Sequence, residues 1–491
     1  MQYLSTRDSA LRVSAQEAIV RGLAPQSGLF VPETFPQADL DAWKNLSYPE
    51  LAEKVLAGFL TDYSADFLHT ATASTYGAAF GGKAGETVKV RDGLYSLELW
   101  HGPTCAFKDY ALQLMPKLLV EAKKMLGRTE TTRILVATSG DTGKAALAGY
   151  ADLDGIEIEV FYPNDGTSEI QHLQMATQKG ENVQVYAVQG NFDDAQTGVK
   201  KVFADADVAA ELEKRGIRLS SANSINWGRL VPQIVYYFYA YFRLAEQGAV
   251  EWGKPVDFCV PTGNFGDILA GYYAKQMGLP VGRLVCASNK NNVLTDFLRT
   301  GTYDARRTFY KTTSPSMDIL ISSNLERLIY TIAGQDAQKD AELMTQLKEK
   351  GVYEITAEMK EGLKDFVGGF ATEEEVKETI HDTYQKTGYV MDTHTAVAAS
   401  VYEKYKKETK DDNVTVIAST ASPYKFVRNV MTAIDPKYDE MEDFALIDEL
   451  EKVSGFPIPN AIKEIRDAEV RHTTECDADQ MKETVKNILG V

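Results

Sequence analysis

The stretch RILVATSGDTGKAALAGYADLDGIEIEVFYP, residues 133–163, decides the fold class. It places a helical pattern, KAALAGYA, between two short apolar runs that read as strands. Near-continuous apolar strands separated by helices are typical of parallel sheets with helices on both faces. The same alternation recurs in LYSLELW (94–100), YALQLMPKLLVEAKKML (110–126), NVQVYAVQG (182–190), DFCVPTG (257–263) and NVTVIAST (413–420). We therefore predict an α/β fold built on open, twisted, mainly parallel sheets.

The composition is that of a globular protein with an acidic surface. The 491 residues include 52 basic and 70 acidic side chains, giving a net charge of −18 at pH 7, and 44% are apolar. This length predicts about three structural units. The negative charge argues against nucleic-acid binding and against adhesion to an anionic membrane. The longest aromatic-apolar run, residues 230–242, is too short and too interrupted to span a bilayer.

The cysteines and histidines predict neither disulfides nor a metal centre. The four cysteines are far apart and form no CxxC motif, and the six histidines form no HxxxH pair. The N-terminal residues lack a basic start followed by an apolar segment, so no secretory signal is expected. We therefore expect a cytoplasmic protein.

Three regions lack the alternation of predicted strands and helices that is seen in the rest of the chain. The first ninety or so residues read as short helical pieces joined by the Gly- and Pro-containing loop 22–36. Residues 300–390 are mostly helical and charged, which is typical of an insertion. Residues 435–491 are strongly acidic and predict a solvated helical extension.

The segment HGPTCAFKDYALQ, residues 101–113, contains a candidate reactive lysine. Lys108 lies among apolar neighbours where a strand region gives way to a helix. Desolvation destabilises an ammonium group and favours the free amine that Schiff-base chemistry needs. A lysine that merely extends to solvent from a helix start is the alternative. Cys105 is interpreted as a small packing residue.

Three further segments place glycines and hydroxyl groups where a predicted strand ends. ATSGDTGKAALAGYA (137–151) and CVPTGNFGDILAGYYAKQMG (259–278) each run from a strand through a glycine turn into a helix. Backbone amides at such a turn favour a bound anion, although neither loop has the spacing of a nucleotide-binding P-loop. In VIASTASPYKF (416–426) a strand pattern ends in hydroxyl groups, at the position where open α/β sheets bind ligands. Structural capping is the alternative for each segment.

The segment NSINWGRL, residues 223–230, supplies amide and guanidinium donors within a short distance along the chain. Asn223, Asn226 and Arg229 could together bind an anionic substrate, with Arg229 donating two hydrogen bonds. A helix cap and a surface arginine form the alternative interpretation.

Taken together, these segments resemble the threonine synthase family of pyridoxal-phosphate (PLP) enzymes, which have the fold-type II (tryptophan synthase β-like) architecture. The resemblance runs almost from end to end, through YLSTRDS, GLAPQSGLFVPE, ELWHGPTCAFKDYALQ, TSGDTGKAA, FDDAQ (192–196), NSINWGRL, SPSMDILISSNLERL (314–328) and DTHTAVA (392–398). It implies an N-terminal domain (1–92), a larger cofactor-binding α/β domain (93–132 and 235–434, with the helical insertion near 300–390), a smaller α/β domain (133–234) and the acidic extension (435–491).

The resemblance also implies the roles of individual residues. Lys108 would hold PLP as a Schiff base and then move protons. The cofactor phosphate would lie in the loop of Gly263, Asn264, Phe265 and Gly266 with Asp267, and Thr420, less favourably Ser419, would face the pyridine nitrogen. Asp141 occupies the position where related enzymes have Asn beside the pyridine 3′-oxygen, so its contact is expected to be indirect. The donors expected for the substrate phosphate are Ser139, Thr142, Lys144, Asn223, Asn226 and Arg229, with Arg229 and Asn223 leading.

The implied reaction converts O-phospho-L-homoserine and water to L-threonine and phosphate. We expect this small-molecule substrate, no nucleic-acid or membrane partner, and either a monomer or a homodimer. Another fold-type II lyase, such as a hydroxyamino-acid dehydratase or a β-replacement synthase, is the nearest alternative. A silent relative that binds the cofactor as a regulatory module is a further alternative.

Overall fold

The computed structural model describes residues 1–164, 166–203 and 205–490 and has the predicted α/β architecture. Its strands are β1 (Tyr3–Ser5), β2 (Asp8–Val13), β3 (Phe30–Pro32), β4 (Glu86–Arg91), β5 (Leu94–Glu98), β6 (Thr131–Ala137), β7 (Ile156–Pro163), β8 (Val183–Gln189), β9 (Ile217–Ser220), β10 (Val256–Pro261), β11 (Val281–Ser288), β12 (Thr302–Asp304), β13 (Val352–Glu354), β14 (Phe366–Phe370), β15 (Thr415–Ser419) and β16 (Thr474–Asp477).

Helices connect most of these strands. They are α1 (Ala15–Arg21), α2 (Leu40–Trp43), α3 (Tyr48–Phe59), α4 (Ala65–Tyr76), α5 (Asp109–Leu112), α6 (Met115–Met125), α7 (Asp141–Tyr150), α8 (Glu169–Ala176), α9 (Phe192–Phe203), α10 (Ala206–Lys214), α11 (Trp227–Leu230), α12 (Ile234–Glu246), α13 (Gly266–Gln276), α14 (Val293–Thr300), α15 (Leu325–Ile332), α16 (Ala337–Lys350), α17 (Ala357–Glu361), α18 (Glu373–Thr387), α19 (Thr393–Thr409), α20 (Val427–Ile434), α21 (Asp443–Ser454), α22 (Asn460–Lys463) and α23 (Met481–Leu489).

The larger sheet has the strand order β14-β11-β10-β15-β5-β4. Neighbouring strands from β14 to β5 are parallel, and β4 alone pairs antiparallel at the edge. The carboxyl ends of β5, β10 and β15 therefore meet at one edge of the sheet. The lysine segment, the 263–266 loop and residues 419–420 follow these three strands, so the topology brings the predicted site segments together.

The smaller sheet has the order β16-β8-β7-β6-β9, and its pairings are all parallel. β6 runs into α7 through the turn that contains Asp141. The predicted βαβ unit is therefore confirmed as β6–α7–β7.

Three regions contain strands where the sequence predicts mainly helix. The N-terminal segment contains the sheet β2-β1-β3, region 300–390 contains the pair β12-β13 and the edge strand β14, and the C-terminal extension contributes β16 to the smaller sheet. Most of these strands are three to five residues long, and β16 (TECD) is polar, so none shows a sustained two-residue hydrophobic period. The expectation that these regions are mostly helical is confirmed, with these short strands in addition, whereas the domain boundaries themselves stay a prediction.

The hydrophobic core includes α12, which has apolar residues around most of its circumference. Tyr236, Tyr237 and Tyr241 of this helix are fully buried. A helix that is apolar on nearly all sides is stable only when it is enclosed by the protein. The aromatic run 230–242 thus forms a core helix, and among the described residues no helix has the length and apolar character needed to cross a membrane.

Candidate active site

Lys108 lies at the start of α5, at the edge where β5, β10 and β15 end. Its side chain is buried, and its Nζ donates to Ser316 Oγ at 3.1 Å and lies 3.6 Å from Asp141 Oδ2. Burial lowers the pKa of Lys108 to about 8, although Asp141 acts in the opposite direction. Near neutral pH this amine therefore exists as the free base far more often than an exposed lysine does. The position suits a nucleophile that also moves protons.

The loop after β10 has the geometry of a phosphate site. Phe265 adopts a left-handed conformation (φ 66°), and α13 begins at Gly266. A side chain at Gly263 would lie 2.7 Å from the carbonyl oxygen of Ser316, so only glycine fits there. The carbonyl of Gly263 accepts from Ser322 Oγ and that of Asn264 accepts from the Asn324 amide. The N–H groups of the first turn of α13 lie beside this loop and can bind an anion.

The carboxylate of Asp267 lies among tyrosine hydroxyls of α12. Its Oδ1 accepts hydrogen bonds from Tyr236 at 2.6 Å and from Tyr237 at 2.8 Å. Burial raises the pKa of Asp267 to about 6, and these hydrogen bonds oppose the increase. The side chain thus fixes α13 to α12. At the 263–266 loop it is the backbone amide of Asp267 that can contribute to an anion site.

Asp141, the first residue of α7, contacts two lysines. Lys425 Nζ lies 2.8 Å from Asp141 Oδ1, and Gln171 Nε2 donates to the same oxygen at 2.8 Å. Burial would raise the pKa of Asp141, but Lys425 and Lys108 outweigh it and hold the pKa well below its ordinary value. The carboxylate is therefore ionised and has no proton to donate. Gly140 is required beside it, because a Cβ there would lie 2.7 Å from the Gln171 amide.

The two hydroxyl residues at the end of β15 have different surroundings. Ser419 Oγ accepts from Trp100 Nε1 at 3.1 Å and from Thr395 Oγ1 at 3.0 Å. Thr420 is buried, and its carbonyl accepts the Phe107 amide at 2.8 Å, directly beside Lys108. Because the Ser419 hydroxyl contacts residues of the core, Thr420 is the better candidate for a ligand contact.

Arg229 is a buried cation near Lys108. One terminal nitrogen donates to the carbonyl of Ala222, and in the part of the chain that the structure describes its buried Nε has no hydrogen-bond partner and no carboxylate pairs with it. Burial lowers the pKa of Arg229 to about 10, with Tyr150 and Tyr236 acting in the opposite direction. The group remains charged at neutral pH and lies close enough to Lys108 to help lower the pKa of that lysine.

Some of the other predicted substrate ligands already form side-chain hydrogen bonds within the protein. Asn226 accepts the Gly228 amide and donates to the Ile19 carbonyl, which is a capping role for α11. Lys144 donates to Gln178 at 2.6 Å, and burial lowers its pKa to about 8. The side chains of Ser139, Thr142 and Asn223 are half-buried beside the same cleft elements. The substrate-binding role of each residue stays a prediction.

Sequence reasoning missed several residues that the fold brings to Lys108. Ser316 contacts Lys108, and its backbone N–H donates to His394 Nε2 at 3.2 Å. His394 Nδ1 in turn lies 2.8 Å from Asp392 Oδ2, which orients the ring. Lys425 and Gln171 were missed in the same way. Three of these residues lie within motifs already recognised in the sequence: Ser316, His394 and Lys425. Their position within a motif is the only sequence feature that indicates a role at the site.

Matches to known protein families cover most of the chain. The model for the threonine synthase N terminus matches residues 2–76, the model for pyridoxal-phosphate dependent enzymes matches residues 84–420, and the model for the threonine synthase C-terminal region matches residues 395–486. The chain belongs to the threonine synthase family. Its cofactor is pyridoxal 5′-phosphate, and its fold is that of the fold-type II enzymes.

Individual relatives support the assignment to the threonine synthase family. The chain is 41% identical over 458 residues to threonine synthase-like 1 of Homo sapiens, which covers 89% of this chain and 61% of that protein. It is 39% identical over 438 residues to the threonine synthase of Pseudomonas aeruginosa, covering 88% and 90% of the two chains. The PLP-bound threonine synthase from Brucella melitensis superposes with a TM-score of 0.86 at 34% identity, over 100% and 98% of the two chains. The chain thus spans about three fifths of the human relative and nearly all of the bacterial ones.

In the described part of the chain, His, Cys, Asp and Glu side chains form no group that could hold a metal ion.

Proposed function

We propose that the chain is a PLP-dependent threonine synthase that converts O-phospho-L-homoserine and water to L-threonine and phosphate. The observation that carries the proposal is a buried lysine amine beside a buried arginine that has no acidic partner among the described residues. The first group suits an aldehyde cofactor, and the second suits an anionic substrate. Membership of the threonine synthase family supports this choice of chemistry.

The donor set around Lys108 fits PLP. The lysine amine can bind the aldehyde, and the loop of Gly263, Asn264, Phe265 and Gly266 with the Asp267 amide can bind the phosphate. A Cβ at Gly263 would meet the Ser316 carbonyl, so this turn needs glycine, and a glycine turn before a helix can present several backbone N–H groups to one anion. The Thr420 hydroxyl would face the pyridine nitrogen. A hydroxyl at that position leaves the nitrogen unprotonated.

Lys108 is the group that moves protons in this proposal. When bound, PLP supplies an electron sink that acidifies the α-proton of the attached amino acid. The lowered pKa of Lys108 lets its amine accept a proton near neutral pH and return it later. Lys108 would act at the α-carbon and then at the β-carbon. The C–O bond at the γ-carbon would break and phosphate would leave with its bridging oxygen; a proton would then be added at the γ-carbon, which becomes the methyl group. The oxygen of water would bond to the β-carbon, and a proton would return to the α-carbon.

Arg229 would bind the substrate phosphate, together with Asn223 and the donors of the β6–α7 turn: Ser139, Thr142 and Lys144. The buried Nε of Arg229 is a free donor for a phosphate oxygen in the described structure. Asn226 would contribute mainly by capping the helix that carries Arg229.

Turnover of O-phospho-L-homoserine by the PLP-loaded protein tests the proposal. We expect phosphate and L-threonine in equal amounts, and loss of both products together with the bound-cofactor absorbance in Lys108→Ala. Lys437→Ala, which changes an exposed lysine paired with Asp435, is the matched control and should behave like the wild type.

Three results would contradict this function. Formation of a 2-oxo acid and ammonia from L-threonine or L-serine, without phosphate release, would indicate a hydroxyamino-acid dehydratase. Replacement of a β-substituent would indicate a β-replacement synthase. A cofactor band without turnover of any amino acid would indicate a regulatory protein.

We further propose that the protein acts in the cytoplasm as a monomer or homodimer, without nucleic-acid or membrane partners. The four cysteines support the compartment, because all of them are buried and unpaired. Free cysteines are typical of a reducing compartment.

A further inference from the structure

Lys425 is a completely buried lysine that forms no contact with solvent. It lies on the short helix Pro423–Phe426 after β15, with 0% of its surface exposed. Its Nζ donates to the Thr104 carbonyl at 3.0 Å and pairs with Asp141 Oδ1 at 2.8 Å. A buried ammonium costs several kcal/mol unless it is paired and hydrogen-bonded. The ion pair with Asp141 meets this requirement.

The two oxygens of Asp141 face different lysines. Oδ1 is occupied by Lys425 and by the Gln171 amide, while Oδ2 lies 3.6 Å from Lys108. Gln171 is itself fixed by a capping box with Ser168, and Ser168 Oγ donates to the Lys425 carbonyl. The contacts made by Oδ1 therefore fix the orientation of the Asp141 carboxylate.

We propose that Lys425 is a positioning residue for Lys108: by pairing with Asp141 Oδ1, it offsets part of the Asp141 charge and holds Oδ2 toward the Lys108 amine. This inference rests on the role of Lys108 in the proposed function. The inference also explains how an aspartate can occupy the position where related enzymes have Asn. A carboxylate held by Lys425 donates no hydrogen bond and affects Lys108 through its charge.

The ion pair joins the two halves of the active site. Asp141 begins α7, which follows β6 of the smaller sheet, whereas Lys108 and Lys425 follow β5 and β15 of the larger sheet. Lys425 therefore fixes the small-sheet turn relative to Lys108.

Other charged groups also lie near Lys108 and Lys425. Lys425 itself and Arg229 both lower the pKa of Lys108 by their positive charge. Near Lys425, the Asp109 carboxylate accepts from Thr104 and Gln113, and Lys144 donates to Gln178. Lys425 also lies near the buried Cys105 thiol, whose pKa burial raises to about 12, so that group stays neutral.

The pH midpoint of the visible absorption of the PLP-loaded, full-length protein is the readout, because it reports the protonation of the Schiff-base nitrogen that Lys108 contributes beside Asp141. Lys425→Met leaves Asp141 to interact with Lys108 alone, so we expect the midpoint to rise by about one pH unit. Asp141→Asn removes the acid and should lower the midpoint by a similar amount. Because Lys425 acts on Lys108 mainly through Asp141 and only partly by its own charge, replacing Lys425 should raise the midpoint less in the D141N background than in the wild type.

Two further variants complete the test. Lys425→Arg retains the cation and should restore a midpoint near that of the wild type. Lys452→Met removes an exposed lysine paired with Glu449 and should leave the midpoint unchanged. Thermal melts establish that each variant folds. If K425M does not fold, the comparison of D141N with D141N/K425M and of K425R with the wild type carries the test.

The proposal is overturned if replacing Lys425 shifts the midpoint equally with and without Asp141, since Lys425 would then act on Lys108 directly. It is also overturned if D141N shifts the midpoint and K425M does not. Failure of the proposed function would give a different result. Either the wild-type protein would show no bound-cofactor band, or Lys108→Ala would retain that band.

Discussion

Arg229 is buried without an acidic partner in the part of the chain that the structure describes. A buried guanidinium without a counter-ion is costly, so a free donor such as the Nε of Arg229 suits an anionic ligand. Arg229 lies close enough to Lys108 to lower the pKa of that lysine. In the proposed function, this residue would distinguish a phosphorylated substrate from the unphosphorylated substrates of other lyases.

Replacing Arg229 should weaken substrate binding and leave the cofactor in place. For Arg229→Met we expect KM for O-phospho-L-homoserine to rise about 10- to 100-fold, the loss expected for a charge-assisted hydrogen bond. Steady-state kinetics measure this, and the bound-cofactor absorbance is the control. An unchanged KM, or loss of the cofactor band, would show that Arg229 has a different role.

At the scale of residues, the sequence predicted the groups whose chemistry is visible within one short motif. Lys108, Gly263 and Thr420 each follow a predicted strand, so their convergence could be inferred from parallel topology. Lys425 and Ser316 could not be inferred, because Ser316 is 208 residues from Lys108 in the chain and the contact depends on the tertiary fold. Single-sequence patterns contain no record of such pairs.

The segment that precedes α15 links several parts of the site. Ser316 contacts Lys108, Ser322 binds the Gly263 carbonyl, and Asn324 binds Asn264 through the backbone. Arg327, in α15 itself, is buried and donates to the carbonyls of Phe30 and Ile225. The motif of residues 314–328 therefore joins Lys108, the 263–266 loop and the 223–230 segment.

The strand β7 carries a buried acid that makes stability depend on pH. Burial raises the pKa of Glu159 to about 7, and Arg133 at 3.7 Å opposes the increase only in part. The folded pKa lies above the ordinary value of 4.5, so the folded state binds the proton more tightly than the unfolded state. Stability is therefore highest below pH 4.5 for this group and is lost as pH rises to about 7.

Glu159→Gln should remove this loss. We expect the difference in the free energy of unfolding between E159Q and the wild type to grow in favour of E159Q as the pH rises from 4.5 to 7. Above pH 7 this difference should stay constant, at about 3 kcal/mol at most. Melting temperatures across this pH range measure the difference. Glu354→Gln, at an exposed acid paired with Lys360, is the control. Parallel curves for the wild type and E159Q would contradict the assignment.

At the scale of elements, long and buried strands were predictable and short or polar ones were not. β6 ends in the continuous apolar run ILVA, and β7 is mostly apolar despite Glu157 and Glu159; both strands were predicted. β16 was missed because its stability comes from pairing with β8 and from α23 packing on α9, which its own four residues do not encode. Tertiary contacts decide the structure of such segments.

The whole molecule combines a net charge of −18 with a proposed site for two phosphate groups. At physiological salt the Debye length is about 8 Å, so distant acidic residues are largely screened from the cleft. The cleft itself contains Lys108, Lys144, Lys425 and Arg229. The negative charge therefore still argues against nucleic-acid binding and is compatible with a small phosphorylated substrate.

Turnover of O-phospho-L-homoserine in water enriched in oxygen-18 tests the central claim most directly. If the γ-carbon loses phosphate with its bridging oxygen and water adds at the β-carbon, mass spectrometry will find one labelled oxygen in the threonine hydroxyl and none in the phosphate. Labelled phosphate together with unlabelled homoserine would show simple phosphate-ester hydrolysis and would contradict the account.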